Sequence, residues 1–236
     1  MGFKYLNKGE DIFDGDDGED VYANEEQLQA RLKYFEGELA GLKKSAAADD
    51  KIKILLEIGR IQVERYKGAD AWEKGFAAFN LAQENELWEL CVEACDVMFL
   101  SEGPDALVAL GHALWLGVTF PIDPEITVAM LQHLLEESPE EADTRAVAAA
   151  AAHYITSMRC GKDDDLTFFT AQMLASVADK HSQIGDQSSF DLWHRTLQLD
   201  KPEVFLKKLS GAIDQLVDGK WWIERDKITD KLDDEN

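Results

Sequence analysis

Apolar residues recur at helical spacing along nearly the whole chain, and this periodicity restricts the fold more than any other sequence feature. One stripe has alternating four- and three-residue intervals and consists of Leu28, Leu32, Phe35, Leu39 and Leu42. Residues spaced in this way line one face of an α-helix, which is buried against another helix. No run shows the strict alternation of apolar and polar residues that is typical of a half-buried strand. The sequence therefore predicts an all-α fold.

Capping residues and prolines divide the chain into about ten helices. Asn24 with Gln27 has the spacing of a capping box. Further start signals are Asp70 with Glu73, Asn85, Pro104, Asp123-Pro124, Ser138-Pro139 and Asp200 with Glu203. The starts predict helix pairs that recur about every 34 to 38 residues, which is the period of stacked antiparallel helical hairpins.

Within residues 50–160 the chain resembles the tetratricopeptide repeat family. The resemblance is carried by Ile58-Gly59, followed by Ala71 and Ala78, which have the spacing of that repeat's leucine–glycine step and small residues. The resemblance implies a superhelix of helical hairpins, an α-solenoid, whose concave face binds a peptide or protein segment.

The charge balance restricts the class of partner. The chain has 236 residues, with 24 basic and 47 acidic side chains and a net charge of −23. This charge repels nucleic acid phosphates and anionic membrane surfaces, so neither is an expected partner. The acidity fits a protein partner with a basic surface, a saline habitat or a simple need for solubility, and these three explanations stay open.

Three sequence features predict a cytoplasmic protein. No segment approaches the roughly 18 uninterrupted apolar residues of a membrane span. The N-terminal residues lack the apolar core of a secretory signal. The three cysteines are an odd number, which indicates reduced thiols rather than a disulfide framework.

Residues 10–26 contain nine acids and no base, and part of this segment looks like a calcium loop. Asp14 and Asp16 fit the first and third positions of an EF-hand, but a glutamate stands where the turn glycine is required. We therefore predict that Asp14, Asp16 and Asp17 belong to a solvated acidic tail, residues 1–23. Such a tail could steer a basic partner.

Aromatic residues near both ends are candidate partner contacts. Phe3, Tyr5 and Leu6 precede the acidic tail and have the character of a docking segment. Trp221 and Trp222 are adjacent, and neighbouring residues of a helix point about 100° apart, so one buried stripe does not readily hide both rings. One ring then contacts a partner, or a final helix covers both, and the two alternatives stay open.

These features divide the chain into three parts. Residues 1–23 form the acidic tail with its docking segment, and residues 24–218 form the helical domain. Residues 219–236 contain the two tryptophans, a final helix over residues 222–233 and a second acidic tail.

Cys91 and Cys95 lie one helical turn apart and share a face. With Cys160 and either His112 or His153 they could complete a zinc site. Their neighbours in the sequence are apolar, and free cysteine is among the most buried residue types. We expect core packing, with no bound metal and no cofactor.

The sequence contains no phosphate-binding glycine loop and no nucleophile elbow. The leading hypothesis is a non-catalytic adaptor, assembly factor or chaperone that binds a protein through a helical-repeat surface. One alternative is an acidic inhibitor or immunity-type protein that masks a basic active site. Another is a metal-dependent enzyme with an unrecognised helical site. The sequence leaves the oligomeric state open.

Overall fold

The computed structural model describes Leu6 and residues 18–234, which contain eleven α-helices and no strand. The helices are α1 (Gly18–Gly41), α2 (Ala48–Glu64), α3 (Gly68–Glu84), α4 (Trp88–Leu100), α5 (Ala106–Thr119), α6 (Pro124–Glu137), α7 (Asp143–Arg159), α8 (Asp165–Ser182), α9 (Gln187–Thr196), α10 (Pro202–Val217) and α11 (Arg225–Asp234). The predicted all-α fold of about ten helices is confirmed.

From α1 to α8, each helix packs against the next one in the chain. Because the connections are short, successive helices run antiparallel. Helix α4 also contacts α2 and α6, so these three helices form one layer, which we call the even layer. Helix α10 returns to pack against both α5 and α7, in the opposite, odd layer. The chain is therefore an array of helical hairpins whose odd layer is supplemented by α10.

The stripe in the first helix packs within the chain. Leu28 and Leu32 are buried, and they form an apolar cluster with Ile58 and Ile61 of α2. These contacts confirm that the stripe is a helix-packing surface, because the apolar face of α1 is covered by α2.

Two polar residues that predicted helix starts instead close the preceding helix. Asn85 Nδ2 donates to the carbonyl of Leu81 at 2.7 Å, and Ser138 Oγ donates to the carbonyl of Leu134 at 2.7 Å. Helices α4 and α7 begin three and five residues later, respectively. These two start predictions were wrong because short polar side chains can satisfy backbone groups at either end of a helix.

The first helix also begins earlier than predicted. It starts at Gly18 rather than after Asn24, so residues 18–23 are helical. The cap predicted at α6 is confirmed, because Asp123 Oδ1 accepts a hydrogen bond from the Glu125 backbone N–H at 2.8 Å.

A glycine permits the contact between α5 and α10. A Cβ atom at Gly111 would lie 2.5 Å from Val217 Cγ2 and 3.5 Å from the carbonyl oxygen of Ile213. Gly211 of α10 has the opposite surroundings, since a Cβ atom there would meet nothing within 4 Å. Of these two glycines, packing therefore requires Gly111 and not Gly211.

We expect Gly111→Ala to lower the free energy of unfolding and Gly211→Ala to raise it. At both positions alanine gains about 0.5–1 kcal/mol of helix stability. At position 111 this gain is outweighed by overpacking, which typically costs about 1–3 kcal/mol. Urea unfolding followed by circular dichroism measures both changes. An increase in stability for both variants would show that α10 does not approach α5 this closely.

Candidate functional site

Trp221 and Trp222 lie in the non-helical connection between α10 and α11, which we call the crossing segment, residues 219–224. The final helix begins at Arg225, so the prediction of a helix from residue 222 was wrong in its start. Helical geometry therefore does not separate the two rings, and their positions follow from the surfaces that the crossing segment covers.

The Trp222 ring fills the space between α3 and α5. It stacks on His112 of α5 with a centroid distance of 4.4 Å and an interplanar angle of 16°. On the other side it meets Trp72, Phe76 and Phe79 of α3 edge-on, at centroid distances of 6.0, 5.8 and 5.7 Å. The ring therefore joins two helices of the odd layer.

The Trp221 ring packs beside this cluster and is covered by a cation. Its centroid lies 6.2 Å from that of Trp115, and the Arg225 guanidinium carbon lies 4.1 Å from its centre. Arg225 is held there by an ion pair of 2.7 Å with Asp214. Both tryptophans are half-buried, and their role as partner contacts stays a prediction.

His112 fastens the crossing segment to the core. The ring is fully buried, with Nδ1 2.8 Å from the carbonyl of Val108, and Nε2 accepts the Trp222 backbone N–H at 2.8 Å. A carbonyl only accepts, so Nδ1 carries the hydrogen and the imidazole is neutral. Burial lowers the pKa of His112 to about 4. This neutral ring therefore couples two parts of the chain that are 110 residues apart.

We expect the stabilisation by His112 to weaken as the pH falls. Because its folded-state pKa lies near 4 and its unfolded value near 6.5, the contribution is complete above pH 6.5 and is lost toward pH 4. The difference in unfolding free energy between the native chain and His112→Gln should shrink by about 2 kcal/mol between pH 7 and pH 5. Urea titrations at both pH values measure it. A difference that does not change with pH would show that the fold does not lower the pKa of His112.

The two central cysteines are core residues, as expected. Cys91 and Cys95 are fully buried, and burial raises the pKa of Cys91 to about 12, which keeps it a thiol. Cys160 is half-buried. Across the part of the chain that the structure describes, no three His, Cys, Asp or Glu residues are placed to hold a metal ion. His112 uses both ring nitrogens in hydrogen bonds, so it is not free to join the zinc site that was considered as the alternative.

The even layer carries a groove with a volume of about 520 Å³, which we call the even-layer groove. Its walls come from α1, α2, α4 and α6, and Leu6 also lines it. The helical lining residues are Arg31, Glu57, Arg60, Val63, Glu64, Asp96, Val97, Leu100, Ala129, Gln132, His133 and Glu136. The groove thus combines a mainly apolar lining with several charged groups.

The Leu6 side chain is only 9% exposed and belongs to the main apolar core cluster. The helices that surround it begin at residue 18 or later, so the contact joins distant parts of the sequence. Leu6 therefore lines the groove as a side chain supplied from outside the array.

Ion pairs fix the cations on one side of the groove. Arg60 pairs with Glu57 at 2.9 Å and also with Glu93 of α4. Although burial opposes the charge, these two carboxylates raise the pKa of Arg60. Arg31 of α1 reaches Glu64 of α2 at 3.4 Å. The charged side chains therefore have defined positions.

His133 is positively charged at neutral pH. Its Nε2 lies 3.1 Å from Asp96 and its Nδ1 lies 3.8 Å from Glu136. Burial disfavours the imidazolium, but the hydrogen bonds to the two carboxylates raise the pKa of His133 to about 9. This stabilisation is complete below pH 6.5 and is lost as the pH rises through about 9. The groove therefore presents a fixed cation between two carboxylates.

The other sequence candidates are not all placed. Phe3, Tyr5, Asp14, Asp16 and Asp17 lie outside the described residues. The sequence predicted a docking segment at the apolar N-terminal residues, but it did not predict the groove. The groove is made by residues from four helices, and no motif in the sequence joins them.

Comparison of the chain with known protein families, curated proteins and solved structures gives no match. No helix in the described ranges is long and apolar enough to cross a membrane. Function is therefore inferred from the geometry of the groove.

Proposed function

We propose that the protein is a non-catalytic adaptor, assembly factor or chaperone that recognises a protein partner through the even-layer groove. The observation that carries this proposal is the buried position of Leu6 in the groove. A surface that accepts one side chain from a remote segment has the shape needed to accept a side chain from another protein.

The lining of the groove suits protein recognition. Val63, Val97 and Ala129 provide apolar contact, and an apolar side chain buried at the centre of an interface supplies most of its affinity. The surrounding charges favour one partner over another, because an unmatched charge is costly when water is excluded. Held by ion pairs within the array, these charges need little ordering when a partner binds.

The opposite layer offers less free surface for this purpose. Helix α10 packs against α5 and α7, and the crossing segment places Trp222 between α3 and α5. Surfaces that the chain itself covers are not available without local unfolding. The even layer is therefore the better candidate for partner binding.

Two leucines of similar exposure provide a matched test. Leu100 lines the groove and is 40% exposed, whereas Leu107 lies on α5, outside the groove lining, and is 42% exposed. We expect Leu100→Glu to reduce capture of a stoichiometric partner from native extract at least tenfold, because a carboxylate would be desolvated in the interface. Leu107→Glu should capture the partner as the native chain does.

Quantitative mass spectrometry of the captured proteins measures this effect, after thermal melts show that both variants are folded. Equal loss in both variants, or unchanged capture by Leu100→Glu, would contradict the proposal. An activity assay of the captured partner with and without the chain then separates an adaptor from an inhibitor, since an inhibitor silences its partner.

A further inference from the structure

The burial of Leu6 gives information about the ligand that the groove prefers. A leucine outside the helical array is 9% exposed and contacts the main core cluster. A burial of this extent is a specific contact of an aliphatic side chain, since a leucine on an unpacked segment would be largely solvated. The groove therefore has a site for an aliphatic anchor.

The charges around this anchor site are predominantly negative. Counting Glu93, which pairs with Arg60, the groove has five carboxylates, namely Glu57, Glu64, Glu93, Asp96 and Glu136. Its cations are Arg31, Arg60 and the protonated His133. The carboxylates outnumber the cations by one in the lining itself and by two when Glu93 is included, so an occupant with basic side chains near its anchor is electrostatically complementary.

The sequence around Leu6 has this composition. Lys4 and Lys8 stand two residues to either side of Leu6, and residues 1–9 contain no acid. The acidic run begins only at Glu10. In a chain with a net charge of −23, a segment with two lysines and no carboxylate is an exception, and its one described side chain lies in the acidic groove.

We propose that the even-layer groove is a binding site for residues 1–9 of this chain, with Leu6 as the anchor and the flanking lysines matched to the carboxylates. A partner recognised through the groove then uses a segment of the same chemical class, a leucine flanked by lysine or arginine, and competes with residues 1–9. The competition with a partner rests on the proposed function, whereas the binding of residues 1–9 does not.

Tethering makes the internal segment an effective competitor. A segment joined by a short linker has an effective concentration on the order of millimolar. Burial of one leucine side chain leaves the groove free in roughly one molecule in 10 to 100. The apparent affinity for an added segment is reduced by the same fraction, so removal of the internal anchor should restore it.

The test uses the full-length chain labelled with ¹⁵N and the synthetic peptide MGFKYLNKG, which has the sequence of residues 1–9. We expect the peptide to shift the amide resonances of Val97, Leu100 and His133 in Leu6→Asp, with an affinity roughly 10- to 100-fold higher than in the native chain. The milder variant Leu6→Ala should bind with intermediate affinity, which keeps the test valid if the aspartate disturbs folding.

Two controls separate the groove from the rest of the surface. The double variant Leu6→Asp with Leu100→Lys should lose the peptide, because a lysine there repels the lysines of the peptide, and Leu6→Asp with Leu107→Lys should keep it. A peptide in which aspartate replaces the leucine should not bind. A peptide in which glutamates replace both lysines should bind more weakly than the native peptide, and this loss of affinity should be larger at low salt than at high salt.

Equal peptide affinity in the native chain and Leu6→Asp would overturn the inference, as would shifts confined to the odd layer. A native dimer that Leu6→Asp dissociates would assign the groove to the N-terminal segment of a second copy and would also overturn it.

If the peptide fails to bind but Leu100→Glu still abolishes partner capture, this inference fails and the proposed function stands. If the peptide binds but Leu100→Glu leaves partner capture unchanged, the proposed function fails and this inference stands.

Discussion

The close contact between α5 and α10 determines which surface of the array is free. Gly111 has no Cβ atom that would collide with Val217. His112, the next residue, holds the crossing segment by accepting a hydrogen bond from the Trp222 backbone N–H at 2.8 Å. Together these residues bring the C-terminal part of the chain onto the odd layer. Because that layer is covered from within, the groove on the even layer becomes the principal candidate for recognition.

Two histidines show how the surroundings assign different roles to one residue type. His112 has aromatic neighbours and a carbonyl acceptor, so burial lowers its pKa to about 4 and the neutral ring serves as a structural hydrogen-bonding group. His133 is also largely buried, but Asp96 and Glu136 raise its pKa to about 9, so it remains charged in the groove. The neutral form allows an apolar core, whereas the charged form contributes to the polar lining of the groove.

The sequence predicted the parts of the fold that depend on local pattern. The stripe containing Leu28 and Leu32 packs on α2, and the cap at Asp123 is present. Start signals such as Ser138 failed, because a hydroxyl group can close a helix as well as open one. The groove could not be predicted, since the pairs that join its helices, Arg31–Glu64, Arg60–Glu93 and His133–Asp96, connect residues 33 to 37 positions apart. The apolar character of the N-terminal segment was visible in the sequence, but the burial of Leu6 at the groove was not.

Site-specific photo-cross-linking in the native cell tests the central claim most directly, that partners are recognised on the even layer. A photoreactive amino acid at position 100 reports on the groove, and the same amino acid at position 107 reports on α5, outside the groove lining, at nearly equal exposure. Covalent products with one defined protein from position 100, and none from position 107, are the expected result. Products from position 107 with none from position 100 would contradict recognition through the groove.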